Sequence, residues 1–92
     1  LKGAHLAEAF HLRYEIHHGG NSLCNVANLH VALAIPNCTY FEVLLPDEAQ
    51  KYGLKQELSL GQDGLVRLLD GPGLGGDIDF DLIDNKMLEV LR

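Results

Sequence analysis

The sequence is short of three things: basic residues, cysteines and long uninterrupted apolar runs. Seven lysines and arginines stand against thirteen aspartates and glutamates, leaving a formal net charge of −6. A chain this acidic offers no positive field for phosphate backbones or anionic lipid, which argues against nucleic acid as a partner. The two cysteines, Cys24 and Cys38, have no CxxC spacing and no His/Cys cluster around them, so neither a metal nor a redox role is signalled. They fit free, buried thiols in a reducing compartment better than a disulfide, and a cytoplasmic location is expected. Asn21 to Tyr40 contains no Asp, Glu, Lys or Arg, but Asn25, Asn28, His30, Pro36 and Asn37 interrupt it. No membrane-spanning helix is expected there. Leu1-Lys2-Gly3-Ala4-His5 lacks the basic, apolar and small-residue succession of a secretory signal and reads as the middle of a helix.

What is present suffices for one modest domain: 92 residues, 47% of them hydrophobic, can bury only a small core. From Leu1 to Phe10, apolar residues at mixed i+3 and i+4 spacing predict a short helix. Leu12, Tyr14 and Ile16 alternate with Arg13 and Glu15, the period of a strand, which stops at His17-His18-Gly19-Gly20. Asn21 or Ser22 can cap a following helix from about Leu23 to Ala34. Its stripe is Leu23, Val26, Ala27, His30, Leu33 and Ala34, widened by Leu29 and Val31, so packing on more than one side is expected. Pro36-Asn37 ends it.

Thr39 to Leu45 reads as a second strand, with Phe41, Val43 and Leu45 on one face and Tyr40, Glu42 and Leu44 on the other. One acid in an apolar strand must be exposed, satisfied or functional, because burying a carboxylate unpaired costs several kcal/mol, on the order of its desolvation. Beyond Pro46 the chain turns polar. Asp47 to Tyr52 suits a helical turn, and Leu58 to Leu60 and Leu65 to Leu69 suit short strands around Gly61-Gln62-Asp63-Gly64. A glycine-rich loop spans Asp70 to Gly76, and Phe80 to Leu91 closes with a short helix. DGPGLGG lacks the GxxxxGK[ST] pattern of a phosphate-binding loop and is read as a connection. Strands alternating with helices imply an α/β protein with a parallel sheet, and two strands alone make no stable sheet.

Three stretches resemble one family. IPNCTYFE (35–42), with ANLHVALA before it, resembles the seventh-helix-to-eighth-strand segment of the mandelate racemase/muconate lactonising branch of the enolase superfamily. YEIHHGGNSL fits the end of the seventh strand, and DGLVRLLDGPGLGGDID is similar to the closing loop. The resemblance runs from about Ala4 to Asp79. It implies the C-terminal piece of a (β/α)8 barrel, since a whole barrel needs roughly 250 residues. Residues 1–45 would form the final strand-helix-strand units, and residues 46–92 a tail packing back on the barrel and a capping domain.

The resemblance also implies a chemistry, proton abstraction alpha to a carboxylate by an acid-sugar dehydratase, racemase or cycloisomerase. His17 falls where the family carries its base and Glu42 where it carries an acid that donates a hydrogen bond to the enolate. The roles suit the residue types: imidazole titrates near neutral pH, and a carboxyl in apolar surroundings can stay protonated. Strand alternation would send His18 to the opposite face; register alone leaves it a second candidate, and it and Asn21 are possible substrate contacts. By pattern without the resemblance, His17-His18 beside two glycines is a solvated loop and Glu42 a paired or edge-exposed acid. His5 and His11 read as helix surface, His30 as satisfied by packing against a neighbouring helix.

The family's Mg²⁺ is held by acids on the third, fourth and fifth strands, often with a lysine base on the second. Since this chain carries none of those strands, the resemblance implies Mg²⁺ only in the complete enzyme, with no ligand supplied here. The expected partners are the remaining barrel and capping domain. The alternative is an inactive remnant that self-associates to cover unpaired strands and apolar helix faces.

Overall fold

The computed structural model describes residues 1–90 and contains four helices among them: α1 (Lys2–Ala9), α2 (Ser22–Ala34), α3 (Asp47–Gln50) and α4 (Phe80–Lys86). All four fall where the sequence predicts helix; α4 ends at Lys86, short of Val90, and the predicted end at Leu91 lies outside the described residues.

α2 organises the core. Asn21 is its N-cap, its side-chain oxygen accepting the Cys24 amide at 3.1 Å, and the chain leaves the helix in extended geometry at Ile35, just ahead of Pro36. The buried face matches the expected stripe only in part: Val26 and Leu29 are buried and Leu23 packs against them, but Leu33 and Ala34 are exposed. Ser22, Asn25, Val26, Leu29 and Ala32 point inward, while Leu33 is 60% exposed. Because α2 is apolar around most of its circumference, periodicity alone did not single out the covered side. That side is set by the tail: Val26 and Leu29 pack with Leu54 and Leu58, flanked by Leu23, Phe41, Val66, Leu69 and Ile78. The expected packing on a second side is not seen.

The strands predicted at 12–16 and 39–45 form no ladder; among the described residues there is no strand, only the isolated antiparallel bridges Leu54–Ile78 and Leu60–Val66. The two segments still run side by side. The amide of Tyr14 donates to the Asn37 carbonyl at 2.9 Å, and Asn37 Nδ2 donates to the carbonyls of Ala4 at 3.0 Å and Leu12 at 3.1 Å. Two neighbouring segments with open outer edges lack the further strands that make a sheet cooperative. The Leu60–Val66 bridge realises the predicted turn as one closure, with Gly61 N donating to Leu65 O at 2.9 Å.

Asp63 steadies that turn, accepting from the Leu65 amide at 3.1 Å and from both terminal nitrogens of Arg67. The Arg67 guanidinium is the first cause holding the Asp63 carboxyl down to about 2. A carboxyl depressed in the folded state stabilises above its unfolded value of about 3.9 and loses that contribution as pH falls through the folded value. Acid titration between pH about 4 and about 2 is therefore expected to loosen the turn. The Leu65 amide followed by NMR reports it; a Leu65 signal that stays fixed over this window would show that Asp63 does not secure the turn.

The chain leaves much apolar surface uncovered. Its accessible surface is 7053 Å², against about 5300 Å² for a compact monomer of this mass. Its radius of gyration is 15.2 Å, against about 12 Å for a compact domain of this length. Phe10, Tyr40, Leu45 and Phe80 are each more than 60% exposed. Among the described residues no helix is long and apolar enough to cross a membrane.

Candidate active site

The two segments converge on a small polar cluster. His17 ends the first, where Gly19 and Gly20 follow and Gly20 takes a φ of 116°, a backbone state open to glycine. Glu42 sits in the second. His17 Nδ1 lies 3.0 Å from Glu42 Oε2, although 25 residues separate them in sequence. An ionised carboxylate only accepts, so Nδ1 carries the proton, and in the neutral ring Nε2 keeps its lone pair. The His17 side chain is 90% exposed, so Nε2 opens to solvent.

His18 joins the same cluster from its other side. Its ring stacks on Phe41, centroids 4.9 Å apart, and its Nε2 donates to the Glu42 backbone carbonyl at 3.2 Å. With Nε2 protonated, Nδ1 is the free acceptor, and it is buried without a partner. The alternation expected of a strand thus holds in part. His18 turns to packing on Phe41 yet still reaches the residue that His17 holds.

Glu42 departs from expectation in its protonation. The hydrogen bond from His17 holds its carboxyl below the ordinary glutamate range, outweighing partial desolvation, which pushes the other way. The side chain is half exposed. The apolar surroundings expected to keep it protonated are absent because Tyr40, on the same face, is itself exposed. Asn21 stands at the entrance to α2 with its oxygen committed to the cap.

Sequence reading missed Glu15 and underrated Asn37. The Glu15 carboxylate accepts from the amides of Thr39 at 3.2 Å and Tyr40 at 3.0 Å and from the Cys38 thiol at 3.3 Å. These bonds, led by the one from Tyr40, hold the Glu15 carboxyl low, and burial followed by the Glu15 carboxylate pushes the Cys38 thiol up. The signal was there: Glu15 lies two residues before His17, so an extended chain puts both on one face. Elsewhere His30 Nε2 donates to the Leu74 carbonyl at 3.2 Å, so it is satisfied, but by the glycine-rich loop and not by the neighbouring helix expected. His5 is exposed on α1, and His11 follows the helix in a left-handed turn, φ 57°. Both cysteines are free thiols, but neither is buried as expected: Cys24 is exposed and Cys38 half-buried.

A family model described as enolase C-terminal domain-like matches residues 1–82. The chain belongs to this family. Its match to the enolase C-terminal domain-like family ties the segments flanking His17 and Glu42 to a barrel-related fold, although the ladder of such a barrel is not formed among the described residues. The chain is also similar to a D-xylonate dehydratase of Haloferax volcanii, 30% identical over 88 residues. That similarity covers 96% of this chain and 21% of the relative, so the chain spans about a fifth of the length of the curated relative it matches. No solved structure matches significantly.

Members of the enolase superfamily generally use Mg²⁺, a cation that takes several oxygen ligands in near-octahedral geometry. The residues present do not fit it. Among the described residues no three His, Cys, Asp or Glu side chains converge to hold a metal ion, Glu42 Oε2 is bonded to His17, and Glu15 is bonded to backbone amides.

Proposed function

We propose that this chain supplies the proton-transfer end of a larger enolase-superfamily enzyme that dehydrates an acid sugar, as the last two strands, intervening helix and closing tail of a (β/α)8 barrel. The observation that carries the reading is the pairing of His17 Nδ1 with Glu42 Oε2 at 3.0 Å. The similarity to a D-xylonate dehydratase favours dehydration over racemisation or cycloisomerisation.

Dehydration of a 2,3-dihydroxy carboxylate removes the proton on C2 and hydroxide from C3, and the resulting enol becomes a 2-keto-3-deoxy acid. His17 suits the first step. With its tautomer fixed by Glu42, Nε2 can take the C2 proton, and the imidazolium so formed sits against a carboxylate. Glu42 suits the enolate oxygen only once protonated. Covering the cluster with the remaining barrel would exclude water and drive its carboxyl upward from the depressed state seen here. His18, bonded to the Glu42 carbonyl, and Asn21, at the entrance to α2, are the proposed substrate contacts. Any Mg²⁺ would have to be held by residues outside this chain, and capping-domain loops would select the substrate. The free thiols of Cys24 and Cys38 suit a cytoplasmic enzyme.

The decisive assay gives the complete polypeptide D-xylonate and related aldonates deuterated at C2. Release of deuterium to solvent with formation of a 2-keto-3-deoxy acid is expected; neither across the panel sinks the reading. The excess surface of the isolated chain also favours a second reading, an inactive remnant that self-associates. Light scattering of the 92-residue chain separates the two: a stable symmetric oligomer favours the remnant, and binding to the rest of the barrel favours the enzyme.

A further inference from the structure

We infer that Glu15 is a positioning residue: its carboxylate takes the place of a missing backbone ladder and sets the register that brings Glu42 opposite His17. The inference rests on the reading of His17 and Glu42 as the working pair, and it concerns how the fold brings them together.

The contacts between the two segments keep a nearly constant offset. Tyr14 meets Asn37, Glu15 meets Thr39 and Tyr40 at separations of 24 and 25, and His17 and His18 meet Glu42 at 25 and 24. Residue numbers rise together on both sides, so the segments run parallel, in one register. A one-residue slip would turn Glu42, itself exposed, to the face now held by the half-buried Phe41 and Val43. Something must resist that slip. In a formed sheet it would be a row of evenly spaced backbone bonds.

Among the described residues, one backbone bond joins the segments, Tyr14 to Asn37, three residues before His17. Between that bond and the His17–Glu42 contact stand the bonds to Glu15. A carboxylate receiving two amides and a thiol makes charge-assisted bonds, roughly twice as strong as neutral ones. Those amides belong to residues 39 and 40, two to three positions from Glu42. Arg13, the cation nearest to Glu15, is 3.9 Å away and largely solvated, so it adds little. The groups facing Glu15 are therefore Arg13 and the Cys38 thiol; those facing Glu42 are His17 and His18.

The test is the titration of the Glu42 side-chain carboxyl, followed by carbon-13 NMR in the 92-residue chain and in Glu15→Ala, Glu15→Gln and His17→Ala. In the parent, Glu42 is expected to titrate below an ordinary glutamate, and His17→Ala to abolish that depression. Glu15→Ala should abolish it too, with His17 intact. The sign discriminates, because removing a nearby negative charge by itself would lower the Glu42 midpoint further, not raise it. Glu15→Gln keeps one acceptor oxygen and should retain part of the depression. A depressed, unmoved Glu42 in Glu15→Ala, with native α2 chemical shifts, overturns the inference. If Glu15→Ala loses α2, Glu15→Gln decides: a partial return supports positioning, and an unmoved midpoint overturns it. An ordinary midpoint in the parent removes the His17–Glu42 pair itself, a failure distinct from that of Glu15. Absence of dehydratase activity leaves this readout untouched.

Discussion

His17→Asn in the complete barrel protein is expected to abolish exchange of the substrate's alpha proton with solvent and, with it, dehydration. Asparagine keeps a nitrogen donor near the position of Nδ1, so Glu42 retains a partner, while the Nε2 lone pair is lost. The substitution therefore separates the base from the contact that orients it. A positioned general base contributes about 10²–10⁴-fold to rate, and a loss at the upper end is expected because imidazole titrates near the working pH. His18→Phe, which keeps an aromatic ring on Phe41 but loses the bond to the Glu42 carbonyl, should cost far less, through the placement of Glu42. Deuterium exchange at C2 checks both. Exchange that survives His17→Asn and disappears in His18→Phe exchanges their roles, and exchange that survives both moves the base to another strand.

The helices were legible because each is a local pattern with local punctuation. α2 starts at an asparagine cap and stops ahead of a proline, so its limits needed nothing from the rest of the chain. Its buried face was not legible, since Leu33 and Leu29 are equally apolar and only the docking of Leu54 and Leu58 selects between them. The segments 12–16 and 39–45 carry strand patterns that describe which faces want burial; Phe41 and Val43 obey, but Leu45 on their face is 75% exposed and Leu44 on the other is half-buried. A ladder also needs neighbours on both edges, a property of the assembly rather than of the residues. The pairing of His17 with Glu42 spans 25 residues, and no spacing rule reaches that far. The likeness to a longer pattern singled out the two residues for separate roles but gave neither their contact nor the charge state of Glu42. That state depends on how much water surrounds the carboxyl.

The same contrast within α2 yields the largest expected effect on stability. Leu29→Ala in the 92-residue chain empties the centre of the only described cluster of buried apolar residues, where Leu29 is 2% exposed against Leu54 and Leu58. Large-to-small changes in a core cost about 2–5 kcal/mol. A chain of this size holds on the order of 0.05–0.15 kcal/mol per residue, and one with this much uncovered surface belongs at the lower end. The expected result is a melting temperature lowered by about ten degrees or more, with loss of cooperativity. Leu33→Ala, four residues on and 60% exposed, should change the isolated chain by roughly 0.5 kcal/mol or less. In the complete barrel the prediction for Leu33 reverses. If the remaining strands and helices cover the second apolar side of α2, Leu33→Ala should there approach the cost of Leu29→Ala. Paired thermal melts of the isolated chain and the complete protein measure the difference. Leu33→Ala that is neutral in both settings would mean that nothing covers that side, and the assembly proposed for this chain would have to be abandoned.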